Sequence, residues 1–185
     1  FQGAITQAMS TGVFRLPLKN HWKLPKGEYC DFHGVNYYTR STVTGFADGV
    51  RKNSPRNDLG WEIYPDGLPQ VAAKLEKLLK RPIWVTENGT CDNQDAFRAR
   101  YIYEHLHAML RSGLPFERYY HCCFCDNFEW LEGESARFGL INVDYATQTR
   151  TIKRSGEFYA DMIRNGGVTD EAYNTYVRGE VYRVE

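Results

Sequence analysis

The chain has little of what several function classes require. Acidic and basic side chains balance, 23 against 23 among 185 residues. No basic run exceeds two residues, so no field exists to draw in nucleic acid or anionic lipid. Nothing approaches the roughly 18 consecutive apolar residues that a membrane span needs, and no charged segment leads into an apolar one as an export signal would. The expectation is therefore a cytoplasmic chain that binds neither nucleic acid nor membrane. Cysteine is sparse and irregular, at Cys30, Cys91, Cys122, Cys123 and Cys125. An odd set on a chain too long to need stapling predicts reduced thiols. There is no internal repeat and no low-complexity segment. Phe1-Gln2-Gly3 reads as the remnant of an engineered tail, leaving residues 4–185 as one expected domain.

What is present suffices for a core: 42% hydrophobic and 15% aromatic residues. Pro17, Pro25 and Gly27 punctuate the first segment. CDFHGVNYYT then clusters β-branched and aromatic residues as a buried strand does, over about 31–38. Residues 41–68, rich in Gly, Asn, Asp and Pro, read as a long ordered loop, of a kind that is usually functional. Val71, Leu75, Leu78 and Leu79 recur at helical spacing behind Pro69, predicting a helix over 69–80. PIWVTE is a short, continuous apolar run, the pattern of a strand covered on both faces. A second helix starts near Asp95, carries Phe97, Tyr101, Leu106, Met109 and Leu110, and ends at Gly113. Residues 118–126 read as a strand, 138–152 as a hairpin turning near Ala146, and Ser155 to Asn165 as a helix.

Short apolar strands alternating with helices argue for parallel βα units in an α/β fold. Three such units fit either a small layered domain or consecutive staves of a larger barrel. In either case the strand ends converge on one mouth. The first strand ends in Asn36, Tyr37 and Tyr38, the second in Glu87 and Asn88, the third in Asp126, Asn127, Glu129 and Trp130.

DFHGVNYYTR, GWEIYPDGL, IWVTENG, CDNFEW, ARFGL and VDYATQTRTIKRS follow one another in the order and spacing of the glycoside hydrolase family 1 β-glycosidases. The resemblance covers nearly the whole chain. It implies a partial TIM (β/α)8 barrel, with parallel strands six to eight and outer helices, acting in retaining hydrolysis without a cofactor or metal. It implies that Glu87 is the nucleophile attacking the anomeric carbon, that Tyr38 donates a hydrogen bond to it, and that Asn36 is a nearby polar partner. It further implies that Glu129 and Trp130 hold the outer hydroxyls of the sugar. Glu129, Ala136 and Phe138 stand where relatives acting on 6-phosphorylated sugars carry small hydroxyl, lysine and tyrosine groups. A carboxylate there repels phosphate, so an unphosphorylated β-glucoside or β-galactoside is expected, with Phe138 counted among the substrate-binding positions.

Two departures from the family matter. No stretch resembles its NEP motif, which carries the general acid/base; retaining hydrolysis needs a second carboxyl about 5 to 5.5 Å from the nucleophile. This chain by itself is therefore expected to show little or no turnover, with an N-terminal barrel half in a separate chain or in further sequence, or a homo-oligomer, as its partner. Cys122 stands where the family usually places a tryptophan under the sugar ring.

YYHCCFCDNFEW, with a histidine and three cysteines in five positions, also resembles a metal site at first sight. On a strand His121, Cys123 and Cys125 share one face, and Cys122 and Phe124 the other. Zinc sites take a second ligand pair from a spaced turn, and none exists here, so buried structural thiols are the expectation. Arg137 is expected to pair with Glu132 or Glu134. His33, His105 and His107 are expected to be structural or surface residues, and Tyr101 and Tyr103 packing residues. The competing reading is a catalytically silent half-barrel acting as a scaffold or self-associating through its open strand edges.

Overall fold

The structure is a computed structural model that describes residues 2–14 and 25–184; Pro17 lies outside the described residues. Helix α1 (Gln2–Thr11) comes first, in a segment whose sequence suggested no element, and it includes two of the three residues set aside as a tail. Strand β1 (His33–Asn36) follows. The 41–68 segment is more structured than expected: β2 (Thr42–Thr44) and β3 (Ala47–Gly49) pair as an antiparallel hairpin, and β4 (Pro55–Arg56) pairs with β9 (Arg183–Val184) at the far end of the chain. Then come α2 (Gly67–Leu78), β5 (Ile83–Asn88), α3 (Arg98–Arg111) and β6 (Phe116–His121). After a 3₁₀ turn at Trp130–Glu132, β7 (Ile141–Val143) and β8 (Arg150–Ile152) form the anticipated hairpin. Helix α4 (Arg154–Asn165), the short α5 (Asp170–Ala172) and a π turn at Tyr173–Val177 complete the order.

β1, β5 and β6 form one parallel sheet in that order. β5 is central, and its Ile83 and Val85 are wholly buried, each contributing about 1.5–3 kcal/mol relative to exposure. The principal core lies between this sheet and the helices, where Val35, Tyr37, Ile83 and Val85 meet Leu68 and Ala72 of α2 and Met109 of α3. Two residues assigned to helix core faces lie elsewhere: Leu110 is exposed, and Val71 faces a cavity beside α1. A second core joins α3 and α4 through Ala99, Ile102, Leu140 and Phe158. α4 ends at Gly166, whose left-handed φ of 66° lets its N–H reach back to Ile163 O and Met162 O.

The third strand is shorter than expected, yet its path continues. Leu140 N donates to Cys123 O, Ile141 N to Phe124 O and Asp126 N to Ile141 O at 2.9–3.0 Å. Residues 138–141 thus run beside 123–126, carrying the tip of this strand to Asp126.

Candidate active site

Each strand tip alternates one side chain inward with one toward the open end, and that alternation builds the site. At the end of β1, Tyr37 turns into the core, where its hydroxyl donates to Tyr64 O at 2.7 Å and its N–H to Glu87 O at 2.9 Å. Tyr38 takes the opposite side. Its ring meets Trp61 and Phe138 edge-on, both at 6.3 Å, and its hydroxyl donates to Glu87 Oε2 at 2.8 Å. The two rings fix the direction of the phenol, and the phenol fixes one carboxylate oxygen. Burial, followed by the neighbouring Cys122 and Glu87, holds the Tyr38 phenol well above its usual range. It therefore stays protonated and able to donate.

Glu87 projects from β5 into solvent, whereas the next residue, Asn88, is fully buried. Asn88 Nδ2 donates to Tyr37 O (2.6 Å) and lies 3.0 Å from Tyr101 Oη, and Oδ1 accepts from Tyr119 Oη (2.8 Å). One side chain thus ties β1, α3 and β6 to the residue beside Glu87. Gly89 completes this junction: a Cβ there would lie 1.8 Å from Cys122 O, so only glycine admits the approach of the third strand.

Asn36 sits at the same level, but its Oδ1 accepts from Thr86 Oγ1 at 2.6 Å, so its side chain is turned to Thr86 rather than to Glu87. Phe138 is buried behind Tyr38, so it backs the tyrosine rather than presenting a surface to a ligand. Glu129 is half-buried, and its carboxyl is raised by that burial and by the charges of Glu87 and Glu132. Trp130 is 82% exposed at a φ of 45°. Cys122 lies among Tyr38, Glu87 and Glu129, and a hydrogen bond from Cys123 brings its thiol down to about 7 against the opposing effect of burial. The structure therefore groups Glu87, Tyr38, Cys122 and Glu129, with Trp130 standing free at the rim and Asn36 and Phe138 one contact away.

The expected face alternation of the cysteines does not survive. The regular strand ends at His121, and beyond it Cys123 packs with Cys91, Phe138 and Tyr38 at the strand tips instead of turning to the helices with His121. Arg137 also departs from expectation. Its Nη1 reaches buried Asp126 at 3.4 Å and Val143 O at 2.8 Å, and its guanidinium covers the Tyr145 ring; Glu132 and Glu134 are exposed and compete poorly with a buried carboxylate. Among the described residues no group of three or more His, Cys, Asp and Glu side chains is arranged to hold a metal ion, and no helix is long and apolar enough to cross a membrane.

Asp126 is the supporting residue whose role the sequence did not disclose. Its carboxylate accepts from Gly139 N (2.9 Å) and from Lys153 Nζ (2.7 Å), as well as from Arg137, and so pins the strand tip to the segment that follows. Its position one residue beyond the cysteine cluster was the available signal. Tyr101, expected as a packing residue, is fully buried in a core cluster with Ile63 and Phe97 and in addition bonds Asn88. A cavity of about 1080 Å³ lies between α1, the free edge of β1 and α2. Among the described residues that line it, none carries a carboxylate.

Parallel βα units whose strand tips present a carboxylate held by a tyrosine offer one of the two carboxyl groups that a glycoside hydrolase uses. The chain belongs to glycosyl hydrolase family 1, whose sequence pattern matches residues 23–168. It is similar to the β-galactosidase of Saccharolobus solfataricus, 37% identical over 160 residues, which are 76% of this chain and 33% of that protein. It is similar also to β-glucosidase A of Thermotoga maritima, 33% identical over 162 residues, 77% of this chain and 36% of that one. The solved β-glycosidase of Pyrococcus horikoshii superposes with a TM-score of 0.81 at 31% identity, covering 95% of this chain and 44% of its own. The chain spans about a third of the length of the curated relatives that it matches.

Proposed function

We propose that these residues form the last three βα units of a (β/α)8 barrel that hydrolyses β-glucosides or β-galactosides with retention. Glu87 attacks the anomeric carbon and forms the glycosyl-enzyme. Tyr38 holds the attacking oxygen in line, and Glu129 and Trp130 bind the outer sugar hydroxyls, the carboxylate accepting and the indole donating. Asn36 and Phe138 act behind them, fixing Thr86 and Tyr38. The observation that carries this reading is the 2.8 Å bond from Tyr38 Oη to Glu87 Oε2 at the shared strand tips. The acid/base carboxyl comes from outside these 185 residues, from further sequence or a partner chain, and its absence leaves the segment alone with little turnover. Relatives named β-galactosidase and β-glucosidase support the substrate class, and the negative charge of Glu129 disfavours a phosphorylated sugar.

The test is intact-protein mass spectrometry after incubation with a 2-deoxy-2-fluoro glycoside bearing an activated leaving group, which lessens the need for an acid. A stable adduct mapped to Glu87 supports the reading. Folded protein that takes up no label replaces it with the silent half-barrel.

A further inference from the structure

We propose that Glu62 is a positioning residue for this site: it holds the segment beyond β1 so that the Tyr38 phenol meets Glu87. Its carboxylate is turned to Arg40, so it acts through Tyr38 and not on the sugar. Its effect on rate rests on the glycosidase reading proposed above; its hold on Tyr38 does not.

Strand β1 ends at Asn36, which leaves Tyr38 beyond the regular ladder. Its carbonyl accepts from Tyr101 Oη at 3.2 Å, a bond that does not set the direction of the ring. A second segment laid alongside does so, because residues 37–40 are joined to residues 61–64 at every position. Tyr37 Oη donates to Tyr64 O at 2.7 Å, and the Tyr38 ring meets Trp61 edge-on at 6.3 Å. Thr39 Oγ1 donates to Glu62 O at 2.8 Å. Arg40 then grips the Glu62 carboxylate, Nε to Oε2 and Nη2 to Oε1, both at 2.8 Å. Its guanidinium also covers the Tyr64 ring, 3.5 Å from the centroid.

Glu62 is the pivot of this clamp. It is 3% exposed, and it accepts through both its main chain and its carboxylate. A fork of two parallel charge-assisted bonds fixes orientation as well as distance, and a carboxylate buried so deeply is costly to leave unpaired. Trp61, the residue before it, is tied from the other side: its N–H donates to Asn57 Oδ1 at 2.9 Å, and its carbonyl accepts from Asn57 N at 3.0 Å. Held between Asn57 and Glu62, the indole sets the Tyr38 ring, and the phenol delivers its hydrogen bond to Glu87 Oε2. A displacement of roughly a few tenths of an ångström at Trp61 lengthens that bond, and reaction rates respond steeply to such displacements.

The experiment compares the unchanged chain with Glu62→Gln, Tyr38→Phe and the double variant, each shown to be folded by its melting transition. With the activated fluoroglycoside at saturation, Glu62→Gln is expected to slow labelling of Glu87 about ten-fold, while the concentration giving half the maximal rate changes by less than about two-fold. In the Tyr38→Phe background the same change is expected to add less than about two-fold, because the residue through which it acts has lost its hydroxyl. Interproton contacts from the ring of residue 38 to Trp61 and Phe138, followed by nuclear magnetic resonance, are expected in the unchanged chain and weaken in Glu62→Gln. Should Glu62→Gln not fold, Arg40→Gln combined with Glu62→Gln, which leaves neither charge of the pair behind, takes its place under the same expectations. Labelling at the unchanged rate, an equal loss in both backgrounds, or ring contacts that are fully retained overturns the proposal. Folded, unchanged chain that takes up no label, with ring contacts that weaken in Glu62→Gln, removes the glycosidase reading and supports the hold of Glu62 on Tyr38.

Discussion

The tips of β5 and β6 lie side by side, and they are built on opposite terms. At β5 the exposed Glu87 is flanked by Asn88, which is fully buried and bonded to three partners from three elements. At β6 the chain leaves the sheet as Cys122–Leu131, where Phe124, Phe128, Trp130 and Leu131 are all more than 65% exposed and Asp126 is the main anchor. Bonded contacts are thus concentrated beneath Glu87, while the segment that carries Glu129 and Trp130 depends on one buried ion-pair hub. A nucleophile must be held within tenths of an ångström, whereas groups that bind hydroxyls tolerate adjustment.

The comparison breaks most completely at Glu87→Gln. This change removes a charge on an exposed side chain, so the melting temperature is expected to stay within a few degrees while fluoroglycoside labelling disappears; labelling that persists removes Glu87 from its role. Asp126→Ala leaves the half-hidden Lys153 ammonium without its partner and is expected to cost roughly 3–5 kcal/mol, read by denaturant unfolding. Asn88→Ala strands the Tyr37 carbonyl and the Tyr119 phenol and should cost about 3 kcal/mol. If it proves harmless, the claim that the β5 tip is the more firmly bonded half is wrong.

A smaller effect is expected on acidification. Burial lowers His105 to about 4 and His121 to about 3. The unfolded chain binds protons near pH 6.5 while the folded chain does not, so this stability is whole above pH 6.5 and is lost as pH falls below it. Each histidine removes about 2 kcal/mol between pH 7 and pH 5, measurable as a falling denaturant midpoint. Tyr38→Phe deletes one hydrogen bond to a charged oxygen; labelling should slow roughly ten-fold or more, with stability changed by less than about 1 kcal/mol. Trp130→Ala, on the exposed side, is expected to alter stability by no more than about 0.5 kcal/mol, and a larger loss would show that the loop is packed more firmly than its exposure indicates.

Much of the frame was legible because periodicity is local. IWVTEN reads as a buried strand from its own residues, and the predicted 69–80 and 155–165 helices differ from the observed ones by two residues or fewer at each end. The pairing of Tyr38 with Glu87 was legible too, through the motifs at the strand ends. What escaped was nonlocal. Pairing of β4 with β9 spans the chain from Pro55 to Val184, and nothing in either dipeptide announces the other. Arg137 drew the wrong partner for the same reason: the carboxylates nearest in sequence are solvated, and the one that binds it is buried 11 residues away. α1 escaped because its short apolar residues give a weak helical pattern.

Sequence alone determined which side chains stand at the ends of the parallel strands, because strand and helix periods are properties of neighbouring residues. The tertiary structure decided what each of them touches: that Tyr38 meets Glu87 across 49 positions, that Asn88 gathers two tyrosines, and that Cys123 packs with Phe138 while its thiol donates to Cys125 O. Those contacts depend on register and chain closure, which are fixed only when burial of the whole core selects one packing.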